Sequence, residues 1–229
     1  MDNFIFKGVS SKEFNIIVNS LPPITKPTMR VKETTIDGVD GAIIEELGYE
    51  SYDKKIKITI TENNIDEIIS WLNGGGDLIL SNEADKYYKA KVIEQIDFAR
   101  LIKYEPVEIT FKVQPFKYLY KETYQKFENP VSSIYALNEG LETSKPLIRI
   151  KGTGTIEMSI EGREKFIYTF PEGETEVTID SEKQDAYLGT ILKNRNMTGE
   201  FPTFKSGRNK INLTGNITEI YLMANSRWL

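Results

Sequence analysis

Lys55-Ile-Lys-Ile-Thr-Ile60, read as KIKITI, puts Ile56, Ile58 and Ile60 on one face of an extended chain and Lys55, Lys57 and Thr59 on the other. A period of two marks an antiparallel strand with one buried and one wetted face. The pattern recurs along the chain. Val107, Ile109, Phe111 and Val113 alternate with Glu108, Thr110 and Lys112, and Ile156, Met158 and Ile160 alternate with Thr155, Glu157 and Ser159. The fold class that follows is mainly β.

One segment departs from this rhythm. In Asn64-Ile-Asp-Glu-Ile-Ile-Ser-Trp-Leu-Asn73 the residues Ile65, Ile68, Ile69 and Leu72 fall at i, i+3, i+4 and i+7, the stripe of a short helix. Asn64 is placed to cap its start with Glu67 as capping-box partner, and Gly74 supplies a left-handed stop. Trp71 lies about 110° from the centre of the stripe at ~100° per residue, so it is expected half-buried or covered by a neighbour.

Residues 22–54 differ in character. Pro22-Pro23, Pro27 and the turn-rich Asp37-Gly-Val-Asp-Gly41 flank a strand-like piece at 29–35, which reads as a long hairpin arm leaving a sheet. Between Gln114 and Pro146 the alternation stops, which puts a domain boundary near 125–140. The division expected is 1–128 for a first domain and 129–229 for a second. In the second, turns at Gly152–Gly154, Glu161–Gly162, Glu172–Gly173 and Gly207 separate short strands in the manner of a β-sandwich.

Composition excludes much chemistry. The 229 residues contain neither Cys nor His. Disulfides, thiolate nucleophiles, Ser-His-Asp triads and zinc sites built on these residues are therefore ruled out. The net charge of −5, without any basic block, argues against a specific nucleic-acid grip. No apolar run reaches the ~20 residues of a membrane span, and the first residues lack a signal-peptide pattern, so a chain made and kept in a reducing cytoplasm, or exported only as part of something larger, is expected.

Three short motifs invite a chemical reading and fail it. Asn73-Gly-Gly-Gly-Asp77 follows its helix, whereas a phosphate loop precedes one. Asp37–Gly41 misses the twelfth-position carboxylate of a calcium loop in either glycine register, Leu47 or Ile44 standing there. Glu45-Glu46 could serve glycoside hydrolysis only if two carboxylates faced each other across a sugar. The expectation is no catalytic residue, no metal and no cofactor.

Asn196-Met-Thr-Gly-Glu-Phe-Pro-Thr-Phe-Lys-Ser-Gly-Arg-Asn-Lys-Ile211 is motif-like without suiting a reaction. Gly199 and Gly207 allow turns, Pro202 ends a strand, Phe201 and Phe204 can enter a core, and Asn209 can close the turn before a strand at 210–213. Phe201 in particular is expected to be buried at a strand corner.

These pieces, in their order and spacing, resemble the phage distal tail protein family. The first half contributes the segment from Phe4 to Phe14, Asp37-Gly-Val-Asp-Gly-Ala42, Trp71-Leu-Asn-Gly-Gly-Gly-Asp-Leu78, Tyr87-Tyr88 and Gln114-Pro-Phe-Lys-Tyr118. The second contributes Asn138-Glu-Gly140, Lys145-Pro146, Gly152-Thr-Gly-Thr155, Ile179-Asp-Ser181, Gly199-Glu-Phe-Pro202, Gly207-Arg-Asn209 and Trp228. The resemblance implies an N-terminal ring-forming domain and a C-terminal galectin-like or carbohydrate-module-like β-sandwich. It implies a structural, non-enzymatic protein of the virion tail tip, assembled in the bacterial host cytoplasm as a homohexameric ring. Its partners would be the tail tube protein, the end of the tape-measure protein and the tail-associated or tail-tip protein. Arg30, Lys32, Ile36, Asp37, Gly38, Asp40, Gly41 and Trp71 are the subunit-interface residues expected on this reading. Gly199, Phe201, Pro202, Gly207 and Asn209 are the structural motif. The alternative is a carbohydrate-binding module or adhesin, which needs an exposed aromatic platform on the second domain.

Overall fold

The computed structural model describes residues 2–61, 65–96, 105–161 and 165–229. Two expected features, Asn64 as helix cap and the turn at Gly162, lie outside the described residues. Contacts divide the chain into two compact units, Met1–Tyr120 with Leu229, and Lys121–Trp228.

The first unit contains β1 (Phe4–Phe6), β2 (Val9–Ser10), β3 (Ile16–Ser20), β4 (Met29–Thr34), β5 (Ile43–Tyr49), β6 (Tyr52–Ile60), helix α1 (Ile65–Leu72), β7 (Gly75–Leu80), β8 (Lys86–Val92) and β9 (Val107–Leu119). Its main sheet runs β2-β1-β7-β8-β9-β6-β3, while β4 and β5 form, among the described residues, a separate two-stranded sheet. The ladder Ile56↔Ile109 and Ile58↔Val107 sets the alternating isoleucines of β6 against those of β9, and these side chains are buried. Cross-strand apolar pairs of this kind are the unit of sheet stabilisation.

Helix α1 is rotated relative to the stripe read from sequence. Ile68, Trp71 and Leu72 face the core, whereas Ile69 is 44% exposed. The indole decides this. Trp71 Nε1 donates to the Phe6 carbonyl at 2.9 Å, and its ring stacks on Phe4 at 5.5 Å and Phe14 at 4.7 Å. A tryptophan buries more area than an isoleucine and still needs a partner for its N–H, and this pocket supplies both. Past the helix, Asn73 N–H donates to Ile69 O, and Gly74 at φ 86° turns the chain into β7.

The second unit is built on two long strands, β12 (Leu147–Ile160) and β18 (Gly207–Met223), paired from Leu147↔Met223 to Ile160↔Ile211. Register shifts near Gly152 and between Thr153 and Glu157 bend both. Ile148 and Ile150 on one side of the bend share a core with Ile156, Met158 and Ile160 on the other. Around them lie β10 (Gln125–Glu128), β11 (Ser133–Asn138), β13 (Lys165–Thr169), β14 (Glu176–Asp180), β15 (Asp185–Leu188), β16 (Ile191–Leu192) and β17 (Met197–Gly199). Strand β10, which the sequence reading put at the end of the first domain, pairs with β18 through Phe127↔Ile220 and belongs to the second unit. The start and end of the unit are tied: Glu122 accepts from the Ser226 N–H at 3.1 Å and from its hydroxyl at 2.8 Å.

The 196–211 stretch does make a corner, with a different aromatic at its heart. Phe204 is fully buried, and its backbone exchanges hydrogen bonds with Ser144 at 2.8 and 3.0 Å. Phe201, expected to be buried, is only partly so and tilts against Phe166 at 6.2 Å. Pro202 stands between the two and turns the chain, so that the second phenylalanine takes the interior position. Gly199 has φ 98°, and a Cβ there would sit 1.8 Å from the Lys165 carbonyl oxygen, so only glycine fits. Asn209 closes the turn, accepting from Lys205 N–H at 2.9 Å and donating to the carbonyls of Lys205 and Gly207.

Phe204→Ala should therefore destabilise the second unit by about 3–5 kcal/mol, the range for truncating a buried aromatic, and Phe201→Ala by roughly half as much. Denaturant unfolding of both variants checks the order. Equal losses, or a larger one at Phe201, would contradict this packing.

Candidate assembly surface

The arm is a two-stranded ribbon in which Val31 stands opposite Glu46, Lys32 opposite Glu45, Glu33 opposite Ile44 and Thr34 opposite Ile43. One face thus carries Val31, Glu33, Ile44 and Glu46, and the other carries Lys32, Thr34, Ile43, Glu45 and Leu47. Apolar side chains appear on both. Six of them, Val31, Ile36, Val39, Ile43, Ile44 and Leu47, are between 41% and 63% exposed. A lone hairpin is marginally stable in water, and a large exposed apolar patch marks a surface that binds something. Within the ribbon, Arg30 Nη2 reaches the Leu47 carbonyl at 3.1 Å, and Lys32 stands 3.7 Å from Glu45. That ion pair is exposed, so it contributes little.

The structure gathers Arg30, Lys32, Ile36, Asp37, Gly38, Asp40 and Gly41 on this arm, all exposed. Trp71 is not among them. At 8% exposure and locked to Phe6, it is a core anchor with little surface to offer a neighbouring subunit. Among the described residues no group of three or more His, Cys, Asp or Glu side chains could hold a metal ion.

Sequence reasoning missed the root of the arm. Lys54, Glu83, Lys117 and Tyr88 are all buried there. Lys117 Nζ meets Glu83 at 2.6 Å, the Tyr88 hydroxyl donates to the other Glu83 oxygen, and Lys54 Nζ donates to the Pro23 carbonyl at 3.0 Å. The Lys54 ammonium also stands 4.8 Å from the Tyr88 ring centroid. Beside it, Asn82 donates to the Pro22 carbonyl at 3.1 Å. The segment that leaves for the arm is thus tied at Pro23 to β6, on which the chain returns. The signal was present: carried one step back, the parity of Ile56, Ile58 and Ile60 puts Lys54 on the buried face, and that of Val107 to Val113 carried forward reaches Lys117.

Burial pushes the Lys54 ammonium below its usual range, with Lys117 adding to the shift and Glu83 opposing it. Burial also pushes the Tyr88 phenol up, as does its bond to Glu83, and lifts Tyr52 to about 12 with help from the Glu83 charge. The sign for Tyr52 follows. Its folded pKa lies above its unfolded one, so its contribution is complete below pH ~10 and is lost as pH rises through about 12. Tyr52→Phe should lose stability less steeply than wild type between pH 9 and 12 in melting curves. Parallel curves would show that Tyr52 does not titrate with folding.

No protein-family model matches the chain, and no curated protein matches it in sequence. Solved structures do. The Dit protein of phage SPP1, described as a paradigm of the hub adsorption apparatus in phages that infect Gram-positive bacteria, superposes with a TM-score of 0.77 at 14% identity, over 100% of each chain. Chains of the phage p2 baseplate in its activated conformation, with strontium and with calcium, superpose with a TM-score of 0.55 over 97% of each chain, at 8% and 9% identity. From end to end, this chain has the fold of phage Dit and baseplate hub proteins.

Proposed function

We propose that this chain is a structural subunit of a phage or prophage tail tip. Six copies close into a ring that joins the tail tube and the tape-measure end to the tail-associated or tail-tip protein engaging the host. The ring is assembled in the bacterial cytoplasm and resides in the virion. The observation that carries this reading is the fold correspondence over the full length of both chains with SPP1 Dit. The division of labour follows from the first unit, whose arm leaves the sheet carrying apolar side chains that a neighbouring copy would cover. Symmetric closure of such a contact gives a ring. A net charge of −5 suits a channel that lets DNA pass without holding it.

The carbohydrate-binding alternative has less support. Sugar recognition uses a bare aromatic face, and on the second unit Arg208 lies 4.5 Å over the Tyr135 ring and Arg149 lies 4.3 Å over Tyr221. One face of each of these two rings is thus covered by a guanidinium group, although Tyr124 of the same unit is 48% exposed.

Six copies of 26.2 kDa give an assembly of about 157 kDa. Native mass spectrometry should find that species, and negative-stain images should show six-fold rings with an open centre. A chain that stays monomeric at high concentration and also fails to bind a tail tube end would sink this reading.

A further inference from the structure

The outer face of the first unit's sheet carries a shallow groove floored by Gly75 and Gly76 and edged by Lys89, Lys91 and Lys112. Its register is explicit: Gly75 pairs with Lys91, Asp77 with Lys89, and Lys91 with Lys112. Among its described lining residues three lysines face one acid, Asp77, while Asp53 engages Lys112 at 2.9 Å. Ile93, 62% exposed, lines it as well. Its described lining carries more lysines than acids, with Ile93 as an exposed apolar side chain.

The arm has the complementary character. Between residues 31 and 47 it carries Lys32 against Glu33, Asp37, Asp40, Glu45 and Glu46, together with its exposed isoleucines. We propose that the β4–β5 arm of one copy docks in the Lys89–Lys91–Lys112 groove of the next copy, with its acids on the lysines and its isoleucines on Ile93. This rests on the ring reading above and names the surfaces that close it. Opposed charges fix register and partner, and the apolar contacts lose water.

Two experiments test the docking. Lys89→Glu/Lys91→Glu and Glu45→Lys/Glu46→Lys should each weaken assembly by roughly tenfold or more, because like charges then meet in the groove. The chain carrying all four changes should assemble again. Second, because the chain has no cysteine, Ile44→Cys and Ile93→Cys copies can be mixed and treated with a short bismaleimide. A mixed dimer that neither variant gives alone supports the docking. Rings that form with no mixed cross-link, or that ignore both charge reversals, overturn the docking and leave the ring standing. A cross-link within one copy of the doubly substituted chain overturns it in favour of self-docking. Absence of both rings and cross-links overturns the ring and the docking together.

Discussion

Lys54 is a charge on the wrong face of a strand, and the first unit is arranged around that fact. It shares the inward parity of Ile56, Ile58 and Ile60, and it is 1% exposed. A buried ammonium without partners is prohibitively unfavourable, so the surroundings must satisfy it. They do so with the Pro23 carbonyl, the face of Tyr88 and the nearby Glu83, which Lys117 in turn holds. Two of these partners are local consequences of the sheet. The Pro23 carbonyl is different, because it belongs to the segment that leaves for the arm. A one-residue slip of β6 would expose the isoleucines and withdraw the ammonium from that carbonyl together. Strand register and arm placement are therefore the same constraint. Replacing the whole cluster by apolar side chains could preserve stability, as happens for buried ion pairs elsewhere, but the tie to Pro23 would be gone.

What could be read from the sequence follows from which interactions are local. Alternation at 55–60, 107–113 and 156–160 needs only the period of an extended chain, and those strands are where the pattern puts them. The helix was legible as an element but not in its rotation, because the stripe counts Ile69 as a core position and leaves Trp71 at its edge. In three dimensions the Phe6 carbonyl and two aromatic rings outweigh the exposed isoleucine. The 196–211 corner shows the same limit. Two phenylalanines flank a proline, and the choice between them is made by Ser144, far away in the chain. Strand β10 was assigned to the wrong side of the boundary because its partner on β18 is nearly a hundred residues distant, beyond what any local pattern encodes.

A TM-score of 0.77 beside 14% identity has a physical basis. A sheet core asks each inward position to be apolar and of suitable volume, and many residues meet that demand. Glycines with steric obligations, such as Gly199 against the Lys165 carbonyl, are far more restrictive, yet they are too few to carry a sequence match. Architecture is therefore kept while residue identity drifts. The converse is that shared fold transmits little about surfaces, and function has to be argued from them.

The arm is the surface where that argument is strongest, because fold stability does not explain it. A sheet-only reading has no use for a ribbon that pairs with nothing else and holds isoleucines in water on both faces. Its own ladder and one exposed ion pair cannot offset that exposure. What the rest of the unit does supply is a rigid root: Pro22 and Pro27 are buried, and the carbonyls of Pro22 and Pro23 are held by Asn82 and Lys54. Fixing the base of a binding element before it meets its partner reduces the conformational entropy lost on binding. Burial of Lys54 disfavours its charged form within the unit, and its bond to the Pro23 carbonyl fixes the base of the arm. A buried lysine that looks like a defect of the core is the group that holds the base of the ribbon.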